Sequence, residues 1–79
     1  MKANIYVTLK QEVLDPQGDA VRRSLSSLGF DEVKSARVGK FIELELKGED
    51  RASAEQHIKS MCEKLLANPV IEDFHFEIV

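Results

Sequence analysis

Ile5, Val7 and Leu9 alternate with Asn4, Tyr6 and Thr8, a period of two that predicts a strand buried on one face. The period then changes. Asp15 can cap the free N–H groups of a helix, and Pro16, with its preset φ and no N–H of its own, suits the first helical position. Val21, Leu25 and Leu28 recur at helical spacing, and Gly29 fits the left-handed residue beyond the last turn, with Phe30 folding back on Leu25. A first helix is predicted over about Pro16 to Leu28.

A hairpin is predicted next, with Val33 to Val38 as one strand, Gly39 and Lys40 at the turn, and Phe41 to Lys47 as the other. Ile42, Leu44 and Leu46 face one way; Phe41, Glu43 and Glu45 face the other. Gly48 to Asp50 interrupts the pattern before a second helix whose stripe holds Ala54, Ile58, Met61, Cys62 and Leu65. Asn68 before Pro69 is pushed out of the α region, and Pro69 cannot extend the hydrogen-bond ladder, so the helix stops there. Phe74, Phe76 and Ile78 alternate with Asp73, His75 and Glu77 in a terminal strand.

The predicted order is β-α-β-β-α-β, an α+β, ferredoxin-like arrangement with a four-stranded antiparallel sheet and two helices on one face. The other face would display Tyr6, Thr8, Val33, Arg37, Phe41, Glu43, His75 and Val79. That amphipathic mixture favours cover by a partner.

Size sharpens the expectation. Seventy-nine residues, 43% hydrophobic and 32% charged, make one domain over residues 1–79 with no room for a second core. A chain this short buries only about 60–65% of the surface it exposes when unfolded, and self-association is a common remedy. The net charge of −3 is spread without a basic stripe, so nucleic acid and anionic membranes are not expected partners. Cys62 is the single cysteine and cannot pair within the chain; with no signal peptide or spanning segment read, a cytoplasmic setting is expected.

Reactive constellations are sparse. Glu43 and Glu45, two apart on one strand, place carboxylates roughly 7 Å apart, but acid/base work needs one of them buried in a pocket, and exposed Glu is the ordinary case. His57 and Cys62 lie five residues apart on a helix, about 140° around its axis, which is wrong for one metal. Cys62 on the apolar stripe reads as a small hydrophobe, and His75 as a surface residue free to titrate at an interface. No catalytic, cofactor-binding or metal-binding residue is expected. Arg37-Val38-Gly39-Lys40 sets two cations beside a glycine that could grip an anion, although cations at a hairpin tip are usually just solvated. Gly18 in a first helical turn lowers helix propensity by up to about 1 kcal/mol, which hints at close approach by another backbone.

Tyr6-Val7-Thr8-Leu9-Lys10, Val13-Leu14-Asp15-Pro16-Gln17-Gly18, Arg37-Val38-Gly39-Lys40 with Ile42-Glu43-Leu44, and Cys62 through Glu72 together resemble the PurS family of phosphoribosylformylglycinamidine synthase subunits. The resemblance runs through nearly the whole chain in order. It implies a small non-catalytic subunit of a glutamine-dependent, ATP-consuming ligase in de novo purine biosynthesis. It also implies a homo-oligomer that joins a glutaminase subunit, PurQ, to a synthetase subunit, PurL, and assists ammonia transfer between them. ATP and Mg would belong to the synthetase, with no cofactor in this chain. Asp15, Pro16, Gln17, Gly18, Arg37, Gly39, Lys40, Asn68 and Pro69 match the family pattern and are the candidate assembly positions.

Two rivals share the topology. An RNA-binding domain would stack bases on Tyr6 and Phe41, but Glu43, Glu45, Asp73 and Glu77 would meet the phosphates. A small-molecule-sensing regulatory domain would normally be attached to a catalytic one.

Overall fold

A computed structural model describes residues 1–79. β1 (Lys2–Leu9) is the central strand, flanked antiparallel by β2 (Lys40–Glu45) and β3 (Glu72–Ile78), in the order β2-β1-β3. Ile5 sits opposite Ile42 on one side and Phe76 on the other, which puts the apolar alternation of all three strands on one face. Helix α2 (Arg51–Met61) lies on that face, and Ala3, Ile5, Val7, Ile58, Cys62, Ala67 and Ile78 form the buried core.

The architecture is α+β, but the sheet has three strands where the sequence pattern predicted four. Val33 to Val38 forms no strand. Its polar groups bond elsewhere: the Val38 N–H donates to Asp15 Oδ2 at 2.9 Å, and the Arg37 side chain turns back on the residues after β1. Gly39 is consequently not a hairpin turn. It is a point of close approach, where a Cβ would lie 2.5 Å from the Val7 carbonyl oxygen.

Helix α1 (Pro16–Ser27) begins as the sequence predicts. Asp15 caps it by accepting the Gly18 N–H at 2.8 Å, with Pro16 in the first turn. It ends in a Schellman motif: Gly29, at φ 98°, donates to Ser26 O, and Phe30 N–H reaches Leu25 O. Its placement departs from expectation. Only α2 covers the sheet; α1 supplies nothing to the core, and Val21, Leu28 and Phe30 remain exposed. The chain measures 49 × 24 × 14 Å because α1 extends away from the sheet.

α2 runs directly into a π-helical turn, Cys62–Leu66, closed by Ala67 N–H to Cys62 O at 2.9 Å. The wider turn rotates the stripe. Leu66 packs on the core, whereas Leu65, predicted on the apolar face, is 82% exposed, and Met61 is also exposed.

Candidate functional site

The candidate positions converge at the end of the sheet where β1 leaves and β2 and β3 enter. Val7 pairs with Lys40 and Leu9 with Glu72, so the three strand ends lie side by side. Around them the hydrogen bonds form a connected set.

Asp15 is its hub. One carboxylate oxygen accepts the Gly18 N–H and the other the Val38 N–H, so a single side chain ties the start of α1 to the segment before β2. The Val38 and Gly18 amides, in that order of strength, hold the Asp15 carboxyl below the usual range, and the Arg37 charge adds to them against the opposing effect of burial. Arg37 donates from Nη1 to Val13 O at 3.0 Å and from Nη2 to Lys10 O at 2.6 Å. Lys10 N–H in turn donates to Ile71 O at 2.9 Å, linking this segment to the turn before β3.

Gly18 is needed for closeness rather than for flexibility. A Cβ there would sit 2.1 Å from the Ala36 carbonyl oxygen, so the suspected backbone neighbour is this chain's own 36–37 segment. Asn68 and Pro69 build the third corner. Asn68 Oδ1 accepts the Val70 N–H at 3.1 Å, its carbonyl accepts Ile71 and Glu72 N–H, and its own N–H donates to Glu72 Oε1 at 2.7 Å. Glu72 also faces Lys40 Nζ at 3.8 Å. Gln17, Gly39, Lys40 and Glu72 line a cleft of about 200 Å³ beside Asp15.

Glu72 was not among the candidate positions, although it joins two of them. The signal was its place four residues after Asn68, where a carboxylate can close the turn onto the Asn68 amide. The same end holds the largest cleft, about 670 Å³, between residues 11–16 and 34–37. Glu12, Asp19, Lys34 and Arg37 line it with mixed charge. Arg37 is occupied by carbonyls.

The opposite sheet face carries a row of rings. Tyr6 stacks on His75 with centroids 4.6 Å apart and lies 5.1 Å from Phe41. Tyr6 Oη donates to Glu77 Oε1 at 3.0 Å, and that bond, with the neighbouring carboxylates, raises the phenol's pKa. Glu43 pairs with Lys2 Nζ at 2.9 Å. Val33 and Arg37, predicted on this face, are absent from it because their segment is not in the sheet. Burial first, and the Glu63 charge second, push the Cys62 thiol up, which suppresses its nucleophilic thiolate. No group of three or more His, Cys, Asp or Glu side chains is gathered as metal ligands, and no helix is long and apolar enough to cross a membrane.

The arrangement can fix geometry; it gathers no nucleophile with a base. Comparison with known proteins agrees in kind. Residues 2–79 match the family model described as PurS, phosphoribosylformylglycinamidine (FGAM) synthase. A Synechocystis FGAM synthase subunit PurS is 54% identical over 74 residues, spanning 94% of this chain and 74% of its own. The Bacillus subtilis PurS crystal structure superposes with a TM-score of 0.86 at 50% identity, over 96% of this chain and 94% of that one. A chain from the structure of PurLQS of Thermotoga maritima gives 0.88 at 36% identity, over 99% and 95%. A match through almost every residue, in sequence and in shape, places the assignment beyond a shared topology: the chain belongs to the PurS family, the small non-catalytic subunit of FGAM synthase.

Proposed function

We propose that this chain acts as a spacer that holds a glutaminase subunit, PurQ, and a synthetase subunit, PurL, in register, so that ammonia released by one reaches the other. The observation that carries the reading is the likeness of this chain to one found in the Thermotoga maritima PurLQS structure, over 99% of its length. The network around Asp15 suits the role, because it sets the direction of two segments with no reactive group left over.

The chemistry explains why such a part is useful. Ammonia becomes ammonium in bulk water and is lost, so holding two sites together raises its effective concentration at the second one without any catalytic side chain. ATP and Mg would bind the synthetase, and this chain would work in the cytoplasm as a homo-oligomer. The nine candidate positions would act mainly by shaping the contact surface, with Asp15 and Gly18 buried beneath it and the other seven exposed.

The test is glutamine-dependent FGAM synthesis by PurL and PurQ with and without this chain, alongside synthesis from added ammonium. We expect omission to lower glutamine-supported turnover at least 10-fold and to leave ammonium-supported turnover within 2-fold. Equal glutamine-supported rates would reject the spacer role.

A further inference from the structure

We propose that the open face of the sheet is a docking surface for an arginine-bearing segment of a partner protein, the guanidinium lying over the rings of Tyr6, Phe41 and His75 with its N–H edge turned to Glu43 and Glu77. The face lies on the opposite side of the sheet from α2, and the spacer reading makes no use of it.

The strand register builds two rows side by side. Phe41, Tyr6 and His75 are direct cross-strand partners and form a row of rings across all three strands. Centroids 4.6 Å apart for Tyr6 and His75, and 5.1 Å for Tyr6 and Phe41, make the row continuous, and Phe41 is 53% exposed. Glu43, Asn4 and Glu77 form the next row in the same way. Two residues along a strand separate the rows by roughly 7 Å, so a ring and a carboxylate stand beside each other on both outer strands.

Charge on this face is unbalanced. Lys2 pairs with Glu43 at 2.9 Å, whereas Glu45, Asp73 and Glu77, on the same face, meet no cation. The Glu77 hydrogen bond, burial and then the charges of Glu77 and Glu43 all push the Tyr6 phenol up, as a negative potential over the rings requires. Asn4 Oδ1, in the middle of the carboxylate row, is enclosed and finds no donor. The strip has acceptors in excess and is short of donors.

The two rows together select the occupant. A purely apolar partner would cover the rings but leave the carboxylates without water or counter-charge. A phosphate backbone or an anionic membrane would be repelled, and a second copy laid on the same face would set Glu43, Glu45 and Glu77 near their own kind. A guanidinium satisfies both rows, because it is flat and weakly hydrated enough to lie on a ring while its fork of donors meets a carboxylate. A lysine ammonium can meet the carboxylate but keeps its water and does not stack.

The test titrates the full chain with a short arginine-rich peptide and with the lysine peptide of the same length, following the ring proton resonances of Tyr6, Phe41 and His75. The arginine peptide should bind at least 3-fold tighter, and its affinity should fall about 10-fold between about 0.05 and 0.5 M NaCl. Glu43→Gln/Glu77→Gln should weaken it about 10-fold and Phe41→Leu about 3-fold, while Glu63→Gln, on the turn after α2, should leave it unchanged. Both sheet variants should keep the circular dichroism and the sedimenting mass of the parent. Equal affinity for the two peptides, or binding indifferent to both sheet variants, would overturn the proposal. So would a smaller assembly in either variant, since the face would then be covered by a second copy.

Discussion

Asp15 looks from the sequence like a helix cap, and it is one, but its second oxygen does the more informative work. By accepting the Val38 N–H it takes the amide a fourth strand would have used, and it gives the carboxylate more reason to stay ionised than a cap alone would. The folded pKa is depressed, so the stabilisation is fully present above the unfolded value near 3.8 and is lost as pH falls through the lower folded value. Asp15→Asn should therefore melt several degrees below the parent at pH 7, and the gap should close as thermal unfolding is repeated from about pH 4 downward. A gap that stays constant to pH 2 would mean the charge is irrelevant. The cap, Pro16 and the left-handed Gly29 were legible because each is a local requirement of one helix end. The Val38 bond was not, since nothing in a linear pattern tells which distant amide a carboxylate will meet.

At the scale of elements, alternation located all three strands, and helical spacing located both helices. What failed was the step from apolar pattern to layer. Val33 to Val38 reads as a strand through the turn signal at Gly39 and Lys40, yet tertiary bonds to Asp15, Lys10 and Val13 overrode that preference. The π turn produced the other error, because a stripe drawn at α spacing cannot anticipate an inserted residue. The two leucines there give a direct check. Leu66→Ala should cost about 2 kcal/mol in urea unfolding and Leu65→Ala less than about 0.5 kcal/mol, since only Leu66 packs on the core. Equal costs would place both on the apolar face and remove the rotation. Among the candidate positions, gathering at one end of the sheet followed from the strand order, but their role as partners to each other did not.

For the whole molecule, the decisive fact is how little one chain encloses. Seven hydrophobic residues are buried out of 79, which is a small core to offset the conformational entropy of the ordered backbone. Stability should then depend on association. We expect the midpoint of thermal unfolding to rise by several degrees between about 1 and 100 μM chain, as mass action requires when the assembled form is the folded one. A midpoint independent of concentration would mean that the lone chain is already stable. Composition pointed to association through the shortness of the chain; the detached helix could not be read, because the same apolar stripe serves equally well on its own sheet or on another.

Cys62 gives this marginal core a clock. Its sulfur is wholly enclosed at the join of α2 and the π turn, and its raised pKa keeps it protonated near neutrality. An alkylating reagent can therefore reach it only in the moments when the helix lifts from the sheet, and the pace of that labelling counts the openings. A protein with a single enclosed thiol thus carries its own gauge of breathing, with no label to be introduced.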